Sequence, residues 1–247
     1  MNSCNRLLQT CEPSIKFVSE VIGILVSNLP GVEYGQLQYR SLETDKTHAL
    51  KSKQGNYNAT MKSSPQSTQD LRWWVANMAK AYKPISRPNP AKVIQSDASK
   101  LGWGAVCGTQ KSGGRWAPGE SEAHINYLEL FAAFLALKTF CNRDNNTHIQ
   151  LQLDNTTAVA YLNNMGGTRS LELNSLSIQI WDWCIKRPLW ISAVHIAGKL
   201  NWDADNKSRV FNDKHEYMLD REVFLSILHQ YPDLNLDLFA SRININN

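Results

Sequence analysis

The sequence predicts an α/β protein: a mixed five-stranded sheet with flanking helices, preceded by a small helical domain. Three observations point there. Residues 83–90 (KPISRPNP) hold three prolines in eight positions, which neither a helix interior nor a central strand tolerates. Before that linker the apolar residues recur at helical spacing. After it, strand-like and helix-like runs come in the order β-β-β-α-β-α-α-β-α, which implies a mixed sheet with helices packed against it.

In the front part, residues 1–82, Ser14 to Leu29 carries apolar residues at 15, 17, 18, 21, 22, 24, 25 and 26 and is ended by Pro30-Gly31. Thr44 to Lys53 suits a short second helix. Ser67 to Tyr82 suits another, with Ser67 or Thr68 as cap and Leu71, Trp74, Val75 and Met78 on one face. Residues 54–68 are polar and turn-rich, a loop by composition. In residues 91–210, Val93 to Ser96 reads as a strand running into Asp97, and Gly102 to Gly108 as a second. Gly113-Gly114 reads as a turn into a third strand around Arg115-Trp116. Asn126 to Phe140 is apolar nearly all round and predicts a buried helix. Ile149 to Leu153 alternates as a strand and runs into Asp154. Beyond it the pattern gives helices at Thr156–Asn164 and Leu173–Lys186, a strand at Leu189–His195 and a short helix at Trp202–Arg209. Residues 211–247 form a C-terminal extension that stops abruptly, as in a piece of a longer protein.

Charge is unevenly spread. Residues 1–90 hold 11 Lys/Arg against 6 Asp/Glu, and residues 91–247 hold 15 against 16. A basic front beside a near-neutral back suits a module that grips a polyanion next to one that holds acidic groups. No run approaches the roughly 18 apolar residues of a membrane span, and the N-terminus lacks the apolar core of a signal peptide. The five cysteines are scattered, with no C-x-x-C pair, so neither a zinc site nor a disulfide framework is indicated. A reducing, intracellular setting (cytoplasm or nucleus) is expected.

Several carboxylates sit against apolar sequence, where an unpaired charge is costly. Asp97 and Asp154 end strands, Glu129 lies in the first turn of an apolar helix, and Asp203 and Asp205 open the last helix. Each has a plain structural role available: a turn at Asp97, a capping box for Asn126-x-x-Glu129, a cap at Asp154, and a helix-dipole partner at Asp203 or Asp205. Their occurrence together in one β/α order points to divalent metal ions, which would compensate several such carboxylates at once. Two ions roughly 4 Å apart can stabilise both the attacking and the leaving oxygen in a displacement at phosphorus.

The runs SDASKLGWGAV, INYLELFAAFLAL, IQLQLDNTTAVAYLNNMGGTRS and HIAGKLNWDADNKSR resemble, in order, the four blocks of the ribonuclease H domain of retroelement reverse transcriptases. The likeness is nearest to the DIRS-like, tyrosine-recombinase-type retrotransposons and covers residues 93–209. Residues 29–50 and the DLRWWV run resemble the thumb or connection segment before ribonuclease H in the same polyproteins, and 236–246 resembles the stretch after ribonuclease H in them. The resemblance implies a ribonuclease H-like fold. It matches the catalytic, metal-holding carboxylates to Asp97, Glu129, Asp154 and Asp205, the last because Ala204-Asp205-Asn206-Lys207-Ser208-Arg209 fits A-D-x-x-S-R; Asp203 is the rival. Ala197 stands where the family has proline, His195 reads as structural, and the mobile loop histidine of some cellular ribonucleases H has no clear counterpart. The polymerase signature Y-x-D-D is not present, so DNA polymerisation by this chain alone is not expected.

The implied activity is hydrolysis of the RNA strand of RNA:DNA hybrids, leaving 5′-phosphates, with two Mg²⁺ as cofactor and Mn²⁺ as a substitute. The implied partners are the hybrid and the palm/fingers polymerase region of a longer polyprotein, with no membrane. Specificity for RNA must come from the 2′-hydroxyl. Backbone groups around Ser99–Trp103 are the first candidate readers, with Asn126 and Asn155 behind them. Arg169, in the polar Gly166–Ser170 run, is a candidate phosphate contact. Most of the eight tryptophans suit a core, and Trp103, close after Asp97, has the best claim on nucleic acid. The alternatives are a non-catalytic, domesticated nucleic-acid-binding module, a structural connection role within a larger polymerase, and an integrase-type or resolvase-type nuclease of the same fold acting on DNA.

Overall fold

The computed structural model describes residues 2–211 and 221–231. The 236–246 run singled out in the sequence lies outside them. The helices, in chain order, are α1 (Asn2–Gln9), α2 (Ile15–Asn28), α3 (Arg40–Ser52), α4 (Pro65–Asn77), α5 (Ile125–Phe140), α6 (Thr156–Asn163), α7 (Leu171–Ile185), α8 (Trp202–Arg209) and α9 (Arg221–Gln230). The strands are β1 (Lys92–Ala98), β2 (Gly102–Cys107), β3 (Gln110–Arg115), β4 (His148–Leu153) and β5 (Trp190–His195). By their contacts these elements group into two compact units: Met1–Asn89 with Ala160–Trp183, and residues 90–159 with the described residues from Cys184 onward. No described helix is long and apolar enough to cross a membrane.

The first unit is helical. Ser14 caps α2 by accepting from Phe17 N at 3.2 Å, and the apolar stripe Ile15, Val18, Val21, Ile22 and Leu25 is buried against Leu42, Leu71 and Trp74. The cap of α4 differs from the sequence expectation. It is Ser64, whose Oγ accepts from Ser67 N at 3.2 Å. Pro65 stands at the first helical position, where its missing N–H costs nothing.

The segment 160–183 falls inside the 91–210 span in sequence yet packs with these N-terminal helices. Arg40 Nη2 donates to Asn164 O at 2.8 Å, and the Trp181 ring meets Tyr34 edge-on with centroids 6.0 Å apart. Trp181 is 1% exposed. Deleting residues 1–89 should therefore strip cover from Trp181. Losing roughly 2–3 kcal/mol of burial at about 2–4 °C per kcal/mol should lower the melting temperature of the remainder by about 5–10 °C. Calorimetry of the deletion checks this, and an unchanged melt would show that 160–183 is held without the front helices.

The second unit carries the mixed five-stranded sheet with flanking helices expected from the sequence, in the order β3-β2-β1-β4-β5. The β1–β2 and β2–β3 pairs are antiparallel, and β1–β4 and β4–β5 are parallel. Gly113 and Gly114 lie within β3 rather than in the turn before it. The chain reverses instead around Gly108, whose φ of +59° suits a residue without a Cβ. Helix α5 lies on β1 and β2, and Leu128, Leu130 and Leu137 are fully buried with Ile94, Ile149, Leu151 and Leu153. Each such side chain contributes about 1.5–3 kcal/mol of burial. Helix α8 packs against β2, β1 and β3.

Candidate metal centre

Strand register brings two carboxylates side by side. In the parallel β1–β4 pair Gln95 stands opposite Gln152, and Gln95 Nε2 donates to Gln152 Oε1 at 3.0 Å, so both side chains share a face. Two residues further along each strand, on the same face by the two-residue period, come Asp97 and Asp154. Glu129 arrives from α5. His124, not Asn126, caps that helix, its Nδ1 accepting from Asn126 N at 3.1 Å. Glu129 therefore lies in the second turn, beyond the reach of a capping box, and its carboxylate accepts from the Ala98 backbone N–H. Oxygens of Asp97, Glu129 and Asp154 all lie within 4.8 Å of one another. Asp154 does not cap α6 either, because Asn155 Oδ1 takes that role by accepting from Ala158 N at 2.9 Å.

Helix α8 divides its polar residues by face. Asn201, just before it, and Ala204 and Ser208 within it are fully buried toward the sheet. Ser208 Oγ donates to Asp97 Oδ2 at 2.8 Å. Asn201 Nδ2 donates to Ser96 O at 3.0 Å and lies 3.5 Å from Asp97 Oδ1. These two residues orient Asp97, and sequence reasoning misses both. A signal exists: small or polar residues at 201, 204 and 208 share one helix face.

On one flank, Asp203 Oδ1 pairs with Lys111 Nζ of β3 at 2.6 Å. Asp205 stands outside the 4.8 Å triad, but its charge bears on both Asp97 and Glu129, and Arg209 Nε holds its Oδ1 at 2.7 Å.

The seat of α8 depends on Gly104, which pairs with Asp97 across β1 and β2. A Cβ there would overlap the Ala204 carbonyl and lie 2.6 Å from Ser208 N, both backbone groups that cannot swing aside. Gly104→Ala is expected to cost about 1–3 kcal/mol and to push Ser208 off Asp97. A melt and a divalent-ion titration check this, and a variant with parent stability would show that α8 has slack.

Burial sets the electrostatics. Asp97 is 3% and Glu129 5% exposed. Burial raises the Asp97 carboxyl to about 6, opposed by the Ser208 hydrogen bond and reinforced by the charges of Asp154 and Asp205. Burial, then the charges of Asp97 and Asp154, push Glu129 up to about 9. Glu129 Oε2 and Asn201 Oδ1 are buried without a hydrogen-bond donor among the described residues. Three crowded carboxylates with an oxygen left over are the donor set that hard divalent cations take.

The expected substrate contacts are placed differently. Ser99 is buried; its hydroxyl donates to Ser208 O at 2.6 Å and accepts from Leu101 N at 3.0 Å, and its carbonyl accepts from the Trp116 indole at 2.8 Å. Trp103 is 6% exposed. Opposite Ala98 on β2, it faces away from Asp97 and Gly104, so the surface position expected for Trp103 is corrected to a core one. Asn126 and Asn155 are half-buried and joined, Asn155 Nδ2 donating to Asn126 Oδ1 at 3.0 Å. Arg169 is exposed but belongs to the other compact unit, in a loop where Ser170 N donates to Tyr161 Oη at 3.0 Å. His195 is exposed at the end of β5. Trp202, grouped with the other tryptophans in the sequence, is 64% exposed.

No protein-family model matches this chain, and no curated protein does. Solved structures similar to it include ribonuclease H1 from the halophilic archaeon Halobacterium salinarum, at 21% identity over 47% of this chain and 92% of that one, with a TM-score of 0.37. LC11 ribonuclease H1 in complex with an RNA/DNA hybrid is similar at 17% identity over 51% of this chain and 99% of that one, TM-score 0.40. The foamy viral protease-reverse transcriptase in complex with an RNA/DNA hybrid is similar at 12% identity over 89% of this chain and 30% of that one, TM-score 0.31. At such identities the chemistry has to be argued from the chain's own side chains.

Proposed function

We propose that this chain is a metal-dependent endonuclease that hydrolyses the RNA strand of RNA:DNA hybrids, as part of a retroelement reverse transcriptase of the DIRS-like type. The observation that carries the chemistry is the triad of Asp97, Glu129 and Asp154, with oxygens within 4.8 Å of one another, two of the three acids buried, and Glu129 Oε2 left without a donor among the described residues. Buried acids raised this far from their ordinary range are poor structural elements and good cation ligands. The substrate class and the retroelement setting rest on the four sequence blocks.

Asp97, Glu129 and Asp154, with Asp205 as fourth, would hold two Mg²⁺, Mn²⁺ serving as a substitute. Bound there, the ions supply an activated water and charge stabilisation for the departing 3′ oxygen, leaving a 5′-phosphate. The chain's own work is to keep the ligands ready. Ser208 and Asn201 fix the rotation of the Asp97 carboxyl, the Ala98 N–H orients Glu129, and Arg209 Nε holds one oxygen of Asp205 in an i, i+4 ion pair. Asp203, committed to Lys111, is left out of the ligand set.

The test is cleavage of a labelled RNA:DNA hybrid and of a matched DNA duplex by the full chain, with Mg²⁺ and with EDTA. Mg²⁺-dependent cutting of the RNA strand alone is expected. Cutting of the DNA duplex would make it a DNA nuclease, and binding without cutting would make it a non-catalytic module.

A further inference from the structure

The polar face of α8 holds more than Asp205. Trp202, Asp205 and Arg209 stand at i, i+3 and i+7, so they line one side of the helix, while Asn201, Ala204 and Ser208 turn to the sheet. The Asp205–Arg209 ion pair at i, i+4 shows that this side is continuous. Trp202 is 64% exposed, and its ring makes no hydrogen bond or aromatic contact with the described residues. Leu200, in the turn just before α8, is also 64% exposed, and Lys199 beside it is exposed. Arg209 uses only Nε on Asp205; its terminal amines have no partner among the described residues, and its side chain is 57% exposed. An indole and a guanidinium left open on either side of a candidate metal ligand are not explained by packing.

We propose that Trp202 and Arg209 form a strand-binding stripe along α8, Arg209 giving its terminal amines to a phosphodiester oxygen and Trp202 packing its indole on a neighbouring nucleotide. The occupant is a nucleic-acid strand because the two available chemistries are a cation with a free planar donor edge and an aromatic face, the pair that phosphate and base ask for. Lys199 adds positive charge at the Trp202 end. The inference rests on the nuclease reading of the same site and names the side chains that place the substrate there.

The experiment measures binding of a fluorescein-labelled RNA:DNA hybrid to the full chain in EDTA over a range of salt, beside cleavage in Mg²⁺ and a melt without hybrid. Trp202→Ala should weaken binding about tenfold, in the range of base–aromatic stacking measured by alanine substitution, and Trp202→Phe should recover most of it. Arg209→Gln should lower the slope of log K against log salt by about one contact's worth, roughly 0.7–0.9. The melting temperature of the Trp202 variants should match the parent, because an exposed ring contributes little to folding. Trp202→Ala and Arg209→Gln with parent affinity and parent salt slope, in a chain that does cut hybrid, would overturn the stripe and leave the nuclease reading standing. A parent chain that neither binds nor cuts hybrid would overturn both.

Discussion

Asp97→Asn and Asp154→Asn are each expected to lower hybrid cleavage about a thousandfold or more, equivalent to roughly 4 kcal/mol of transition-state stabilisation at about 1.36 kcal/mol per decade, while the protein stays folded. The reason is electrostatic. Each amide keeps the shape of the carboxylate and removes the charge that would hold a divalent ion. The structure can accept both changes. At 97 the amide oxygen can take the place of Asp97 Oδ2 and accept the hydrogen bond that Ser208 Oγ donates. At 154 the side chain is half-buried beside Gly198, where an added Cβ would be 3.2 Å from Asp154 Oδ2, so the wall next to it is open backbone. Without metal, the Asp97→Asn chain should melt at or above the parent, because one of several crowded acids is gone. Asparagine is also a good cap and turn residue, so a merely structural role predicts variants that keep both activity and stability. The measurement is a single-turnover cleavage assay with a melt in Mg²⁺ and in EDTA. Cutting at near the parent rate would remove the two-metal assignment.

The sheet and the acids are legible in the sequence because both are written locally. Asp97 is the penultimate residue of β1 and Asp154 directly follows β4, and the repeated Gln-x-Asp of Gln95-Ser96-Asp97 and Gln152-Leu153-Asp154 is the trace of two parallel strands in step. The illegible parts depend on contacts between distant residues. Ser208 reaches Asp97 across 111 positions, and the packing of 160–183 with the N-terminal helices runs through Arg40 and Tyr34, far from the proline-rich stretch that dominates the local pattern. Closeness to Asp97 in the chain favours Trp103 as a surface residue. In a hairpin the side that matters is set by pairing, and opposite Ala98 the indole is turned into the core. Trp202 does not stand out in the sequence, because nothing in a single tryptophan says which face of an eight-residue helix it occupies; the buried positions 201, 204 and 208 do.

Glu129→Gln should raise the metal-free melting temperature at pH 8, by several degrees if the effect is a few kcal/mol at about 2–4 °C each, with the gain shrinking as the pH falls toward 5. The folded chain holds the Glu129 proton up to about pH 9, whereas an ordinary glutamate releases it near 4.5. Between those values the folded state binds more protons than the unfolded state. This residue's contribution is therefore fully present below about pH 4.5, declines as pH rises, and is lost by about pH 9. Glutamine does not titrate, and its carbonyl can still accept from Ala98 N–H, so the variant escapes that decline. Divalent ions should reverse the order. A cation that binds the folded chain stabilises it by mass action, and the parent, with its full set of acids, should gain more on adding Mg²⁺ or Mn²⁺ than Glu129→Gln does. Melts of both proteins from pH 5 to 8, with EDTA and with each ion, give the whole comparison. A glutamine variant that melts below the parent at pH 8 in EDTA would mean that a cationic or hydrogen-bonding partner already stabilises the carboxylate, and that the cluster is not waiting for metal.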